Sequence, residues 1–472
     1  MTGLRDRLLP VWKRTLSLSW PIAIQQSLNT LMRTVDIIVT GLFSPAAVAA
    51  VGLADLYADI PRRIGSSLGA GAIALASQDT GRGADATRDR AITQAILLAF
   101  LAGLPFMVIG FLFAHLLIEI LGAESEVVQL GGTYLMIVFA VGPMRTVGYV
   151  GAACLQGTGD TRTPMYVNGT ANVLNIAGTI GLGLGVGALP ELGIVGVGLA
   201  TAGSRVFEAG AMMLAIASSR TAPSFARPRS LTVTKQLLVI GTPRFAEQMS
   251  TSIVSFPFNA LLLTFGTEVN AAYHIARRIY QQLTGPLYRS YSVAASIIVG
   301  QTLGEGDPEN ARFSGFAIAG FGVVTMGVAG VLLFVVAEPL AHLFSNDPTT
   351  IGYATEFTRA YAVAMAFFGV FFTFAGALRG AGDTQTPFYA QFTGQFGFML
   401  GFSYLAGVVL GYGLIGVYAG IVLTYVWGTL VVSRGFLWGG WAEKAATMMS
   451  ERADASDERT GGSDGRTETS DE

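Results

Sequence analysis

A ten-residue motif occurs twice in this chain and constrains the fold more than any other feature. Residues 155–164 and 378–387 share seven of their ten positions, and the second copy begins 223 residues after the first in a chain of 472. Both copies read Leu-x-Gly-x-Gly-Asp-Thr-x-Thr-Pro. Glycine allows a left-handed backbone and Asp or Thr can cap a following helix, so each copy predicts a tight turn between two helices. We therefore interpret the chain as two homologous halves.

The composition of both halves is typical of a membrane protein. Hydrophobic residues make up 51% of the chain and charged residues 13%, about half the charged fraction of a soluble domain. A membrane-spanning helix needs about 20 mostly apolar residues. Twelve stretches, which we call the predicted spans, meet this requirement: 15–43, 48–79, 91–113, 127–155, 165–188, 193–217, 236–265, 270–300, 314–337, 352–378, 388–411 and 413–437.

Arginine placement predicts how these spans are oriented. The loops 114–126, 189–192, 266–269 and 338–351 contain neither Lys nor Arg, whereas the alternate loops contain Arg82, Arg162 and several basic residues between 220 and 235. Positive charge is concentrated on the cytoplasmic side of membrane proteins, so both termini are expected in the cytoplasm. The short basic segment before the first span leads into an apolar stretch too long for a cleavable signal peptide.

The repeat also predicts the domain organisation. We expect a six-helix N-terminal bundle over 1–217, a cytoplasmic connecting loop over 218–235, a six-helix C-terminal bundle over 236–442 and a disordered acidic tail over 443–472. Each half has an even number of spans, so both halves have the same orientation. The predicted fold is an all-α polytopic membrane protein of two bundles, related by a pseudo-two-fold axis along the membrane normal.

The doubled motifs resemble those of the multidrug and toxic compound extrusion (MATE) family. The resemblance rests on the two repeated loops, on Gln-x-x-Gly-x-Gly at 78–83 and 301–306, and on Val35-Asp36 in the first span. It extends from about Leu16 to Arg434. It implies a secondary antiporter of the cell membrane that exports small organic, often cationic compounds in exchange for H⁺ or Na⁺ by alternating access. No other cofactor and no nucleic-acid partner is expected, and the transporter is expected to act as a monomer in the lipid bilayer.

Asp36 is the leading candidate for ion coupling. A carboxylate in a membrane span costs about 2.5–3.5 kcal/mol and usually lines an ion or proton pathway, although a local pair with Arg33 is the alternative. The resemblance implies that an Asp at this place belongs to the cation site, to which fifth- and sixth-span residues contribute. Thr179 stands where the family often has a second Asp, which favours H⁺ slightly, while Na⁺ at Asp36 stays possible. The candidate coupling residues are Asp36, Asn172, Asn175, Thr179 and Thr201.

Two further groups of charged residues have both a functional and a structural interpretation. The charged side chains of the second and eighth spans form either a gate between the bundles or a static structural network. These charged residues are Asp55, Asp59, Arg62, Arg277 and Arg278. Glu247 in the seventh span is a candidate for a second ion site, or else pairs with Arg244 three residues earlier. The same spacing predicts the pairs Arg205/Glu208, Asp59/Arg62 and Glu356/Arg359.

Other classes of function find little support in the sequence. The chain has three histidines without ligand spacing, one cysteine, Cys154, and no evident nucleophile–base set, so we predict neither an enzyme nor a structural metal site. The main alternative is a flippase of the related superfamily that acts on lipid-linked oligosaccharides or lipids. Such a flippase is expected to have a more cationic cleft and often has fourteen spans.

Overall fold

The computed structural model describes residues 4–187, 189–228 and 230–457, and those residues form helices and loops without a strand. The predicted all-α fold is confirmed. The first half contains α1 (Leu4–Gly41), α2 (Pro45–Gly81), α3 (Asp85–Glu119), α4 (Ser125–Ala140), α5 (Gly142–Gly157), α6 (Arg162–Leu184) and α7 (Gly193–Ala217). The second half contains α8 (Thr232–Leu263), α9 (Thr267–Gly304), α10 (Pro308–Val335), α11 (Ala337–His342), α12 (Pro348–Gly380), α13 (Gln385–Thr393), α14 (Leu414–Trp438) and α15 (Trp441–Asp457).

Each predicted span coincides with one helix or with two or three consecutive helical segments. The fourth span is divided into α4 and α5, which are bent by 52° where Pro143 opens the second helix. The eleventh span begins as α13 and continues with π-helical geometry over Gly394–Phe402 and Leu405–Val409. Six helical segments of the described chain are long and apolar enough to cross a membrane, or seven if the bent pair is one span.

The remaining five predicted spans are α1, α2, α6, α8 and α9, and they are less apolar for one reason. They carry most of the charged and amide side chains that lie in mid-helix rather than at helix ends, to which α7 adds Arg205 and Glu208. A polar side chain inside a membrane span normally faces other protein or a water-filled cavity instead of lipid. The functional residues are therefore concentrated on these five helices.

The two copies of the repeated motif form the turns that the sequence predicts. Gly159 and Gly382 have positive φ values of 96° and 84°, which favour glycine. Asp160 then accepts hydrogen bonds from the backbone N–H groups of Arg162 and Thr163 at 3.1 and 3.0 Å. Asp383 accepts the two equivalent bonds at 3.2 and 3.3 Å. Both aspartates cap the helix that follows.

The chain divides into two compact units whose termini differ from the predicted domain boundaries. The second-half unit comprises the described residues within Met1–Ala23 and Thr242–Ala446, and the first-half unit comprises those within Ile24–Gly241 and Thr447–Glu472. The start of α1 packs on the second-half unit because Trp12 donates a 2.8 Å hydrogen bond to the Ala317 carbonyl and Arg7 lies 4.2 Å from the ring centre of Phe313. The predicted assignment of all of 1–217 to one bundle is therefore wrong for its first residues.

The predicted disorder of 443–472 is also wrong as far as residue 457, because Trp441–Asp457 forms α15. Arg452 is buried and donates hydrogen bonds to Gln78 at 3.0 Å, Asp79 at 2.9 Å and Gln236 at 2.7 Å, all in the first-half unit. Low hydropathy suggested a tail, but these charge-assisted contacts hold the helix in place. Residues 458–472 lie outside the described residues.

Candidate functional site

Asp36 lies buried in α1, where α6 supplies its hydrogen-bond partner. The Thr179 hydroxyl donates a 2.9 Å hydrogen bond to Oδ1 of Asp36. The ion pairs among the described residues do not include one between Asp36 and Arg33, although Arg205 and Arg33 attract the carboxylate and Asp55 repels it. Asp36 is thus a carboxylate in a membrane span whose hydrogen-bond partner is neutral.

The other predicted coupling residues line the same face of α6 or face it from α7. Asn172, Asn175 and Thr179 follow one another at steps of three and four residues, which places them on one side of the helix. Asn175 donates a 3.2 Å hydrogen bond to the Thr201 hydroxyl. Asn172 donates hydrogen bonds to the side-chain amide oxygens of Asn29 and Asn168, each at 3.1 Å. All five predicted coupling residues are buried in the first-half unit.

Two amide oxygens in this region have no hydrogen-bond partner. They are Oδ1 of Asn172 and Oδ1 of Asn175, both buried. An unsatisfied buried carbonyl costs about 1–3 kcal/mol, so such oxygens are suited to receive a donor or a hard cation. A site of one carboxylate with neutral oxygens differs from a multi-carboxylate metal centre. Within the described ranges, no group of three or more His, Cys, Asp or Glu side chains could hold a metal ion.

A neighbouring network around Glu208 was only half predicted. Arg205 and Glu208 form the predicted pair at 2.6 Å. Glu208 also accepts a 2.9 Å hydrogen bond from Asn168, which in turn accepts from Asn172. Sequence reasoning missed Asn168 and Asn29 as partners. The available signal was the spacing of four residues between Asn168 and Asn172, which places both on one helix face.

The predicted gate residues fall in different units. Asp59 forms ion pairs with Arg62 at 2.5 Å and with Arg63 at 2.9 Å, all within α2 of the first-half unit. Asp55 lies on the same helix. Arg277 and Arg278 lie on α9 of the second-half unit. The predicted pair within α2 is confirmed, whereas the gate stays a prediction.

Glu247 is buried in α8 and held by two arginines. The predicted pair with Arg244 is confirmed. Arg379 adds two hydrogen bonds to Glu247, at 2.8 and 3.1 Å, and a third to Ser292 at 3.2 Å. Sequence reasoning missed Arg379, although it occupies a position of the repeated motif where the first copy has Gln156. These contacts favour the structural interpretation of Glu247.

Comparisons with known proteins agree with this arrangement. The MatE family model matches residues 21–180 and 243–405. A probable multidrug resistance protein NorM from Thermotoga maritima is 25% identical over 460 residues, covering 95% of this chain and 97% of the relative. A protein of the same name from Rhodopseudomonas palustris is 28% identical over 433 residues, covering 89% and 90%. A solved structure, described as the crystal structure of MATE in the bent conformation, superposes with a TM-score of 0.83 at 22% identity, covering 94% and 97%.

Proposed function

This chain belongs to the MatE family, and from that premise we propose that it is a secondary active antiporter that exports organic compounds in exchange for H⁺ or Na⁺ by alternating access. The coarser statement is established: it is a multi-pass membrane transporter related to multidrug efflux proteins, and not an enzyme. The relatives favour this function over a lipid or oligosaccharide flippase.

The observation that carries the proposal is the hydrogen bond between Thr179 and Asp36. A buried carboxylate whose hydrogen-bond partner is a neutral hydroxyl changes the net charge of its site whenever it takes up or releases a proton or a cation. Changing the charge of a desolvated group costs far more than in water, so it can drive a rearrangement of the surrounding helices. The free oxygen of Asn175 offers a second ligand to Na⁺ or an acceptor to a protonated partner.

Coupling is assigned to the first-half unit because the second half lacks matching groups. The positions that correspond to Asn175 and Thr179 in the eleventh span are Phe398 and Phe402, whose rings offer no oxygen ligand. Glu247 is already neutralised by two arginines. The proposed coupling residues are therefore Asp36, Asn172, Asn175, Thr179 and Thr201.

The proposed setting is the cell membrane, with both termini in the cytoplasm. The alternation of arginine-rich and arginine-free loops supports this orientation. The proposed working form is a monomer surrounded by lipid.

A gradient-swap experiment tests the function. Purified protein is reconstituted into vesicles loaded with ethidium, and efflux is followed after imposing a pH gradient or a Na⁺ gradient separately. Efflux driven by one gradient and abolished by the matching ionophore supports antiport. Equal efflux with no gradient would indicate a passive channel instead.

A further inference from the structure

Arg277 in α9 lies in the second-half unit among tyrosines. Tyr273 and Tyr280 lie four residues before it and three residues after it, on the same face of the helix, and the ring of Tyr280 stacks on that of Tyr361 in α12. The Arg277 side chain is half-buried. In the described part of the second-half unit, no carboxylate forms an ion pair with it. A permanently charged group thus lies in a membrane span beside neutral partners only.

Three other arginines of the same unit are balanced by carboxylates, whereas Arg278 and Arg289 of α9 are exposed. Arg244 and Arg379 share Glu247, and Arg359 pairs with Glu356 at 2.7 Å. Charged residues inside membrane spans are rare because desolvation is costly, and those without a partner usually mark a binding site or pathway. We therefore expect Arg277 to bind an anionic group that does not belong to its own unit.

The tyrosines around Arg277 belong to a larger aromatic surface on α9, α12 and α14. Tyr280 and Tyr361 are stacked with ring centroids 4.0 Å apart, and Tyr288 stacks on Phe372 at 4.1 Å. Tyr280, Tyr288 and Tyr361 are buried, whereas Phe372 and Tyr425 are half-buried and keep part of their ring surface accessible. Aromatic side chains bind flat aromatic molecules by stacking and edge contacts.

We propose that Arg277 and its tyrosines bind the carboxylate of an aromatic substrate. This inference rests on the proposed export of organic compounds and names the substrate class, which differs from the often cationic compounds that the family resemblance implies. A guanidinium matches a carboxylate with two parallel hydrogen bonds, and neighbouring phenol groups can donate to the same oxygens. The aromatic surface then receives the ring of the substrate.

Equilibrium binding to the purified full-length protein tests this proposal. The probes are 2-naphthoate, the neutral 2-naphthamide and the cationic 2-naphthyltrimethylammonium, which share one ring system. We expect 2-naphthoate to bind most tightly, and Arg277→Gln to weaken it about 10- to 100-fold, the loss of a charge-assisted contact. Naphthamide affinity should stay within about twofold, because its contacts are with the rings. Arg277→Lys should retain part of the preference for 2-naphthoate. Arg359→Gln removes an arginine that is already paired with a carboxylate, so this variant should bind all three probes like the wild type.

Three outcomes would overturn the proposal. The first is equal affinity of the wild type for 2-naphthoate and 2-naphthamide. This comparison uses no variant, so misfolding of a variant cannot affect it. The second is an equal loss of affinity for all three probes in a stably folded Arg277→Gln variant. The third is a clear preference for farnesyl diphosphate, which would indicate a lipid diphosphate substrate. Since binding is measured without a gradient, these outcomes are separate from a failure of antiport, which is the absence of gradient-driven efflux of both ethidium and 2-naphthoate from vesicles.

Discussion

Arg379 donates two hydrogen bonds to the carboxylate of Glu247, at 2.8 and 3.1 Å, although the two residues lie in helices far apart in sequence. Arg244 pairs with the same carboxylate from one turn away. One negative group thus balances two positive groups inside the second-half unit. Removing that negative group leaves buried positive charge without compensation.

Glu247→Gln should consequently destabilise the protein. Breaking a buried ion pair by removing one partner costs about 3–5 kcal/mol. We expect a lower midpoint of thermal unfolding in detergent, with ion-dependent efflux retained in the fraction that folds. Glu356→Gln is the matched control, because its pair with Arg359 is exposed and is worth only about 0–1 kcal/mol. Equal midpoints for both variants would contradict the structural role of Glu247.

Arg452 should anchor α15 to the first-half unit. Arg452→Ala removes its bonds to Gln78, Asp79 and Gln236. The loss should stay below the roughly 3–5 kcal/mol of a fully broken buried pair, because Arg82 still neutralises Asp79. Hydrogen exchange should then become faster in α15 while the other helices keep their protection. Exposed Asp454, changed to Ala, is the control, and unchanged exchange in the Arg452 variant would show that the helix is held by other contacts.

The repeated turns and Arg452 show what the sequence can and cannot predict. Asp160 and Asp383 cap helices through bonds to residues two and three positions away, so local pattern is enough to predict them. Arg452 reaches residues more than 200 positions away, and nothing in the periodicity of a charged tail encodes that approach.

The candidate site shows the same division. Asp36 was found because a carboxylate is conspicuous in an apolar span, and its neighbours on α6 followed from helical spacing and family resemblance. Arg379 was missed because arginine in a loop motif looks like an ordinary cytoplasmic charge. Only the packing of α8 against α12 reveals that it is buried beside Glu247.

Accessible cysteines should report the topology. After replacement of Cys154, a cysteine at exposed Glu191 or Glu268 should react with a membrane-impermeant maleimide added outside intact cells, because the loops that hold them lack arginine. A cysteine at exposed Arg227 should react only after permeabilisation. Labelling of position 227 from outside would reverse the proposed orientation.

The gate hypothesis predicts a charge-reversal rescue. If Asp55 pairs with Arg277 in one transport state, Asp55→Arg and Arg277→Asp should each impair transport of every substrate, and the double variant should partly restore it. Additive losses would argue against a gate. Rescue for cationic and anionic substrates alike would instead assign Arg277 to the gate and remove it from the proposed carboxylate site.

The most direct test of the coupling mechanism is gradient-driven ethidium efflux by Asp36→Asn in reconstituted vesicles. Asparagine keeps the oxygen that accepts from Thr179 and nearly the same volume, so folding and insertion should match the wild type. Efflux should collapse under either gradient, while equilibrium substrate binding persists and loses its dependence on pH or Na⁺, because an amide neither titrates nor offers a charge. If Asp36→Asn pumps at the wild-type rate while stably folded Glu247→Gln does not, the coupling site lies in the second-half unit and the assignment to Asp36 is wrong.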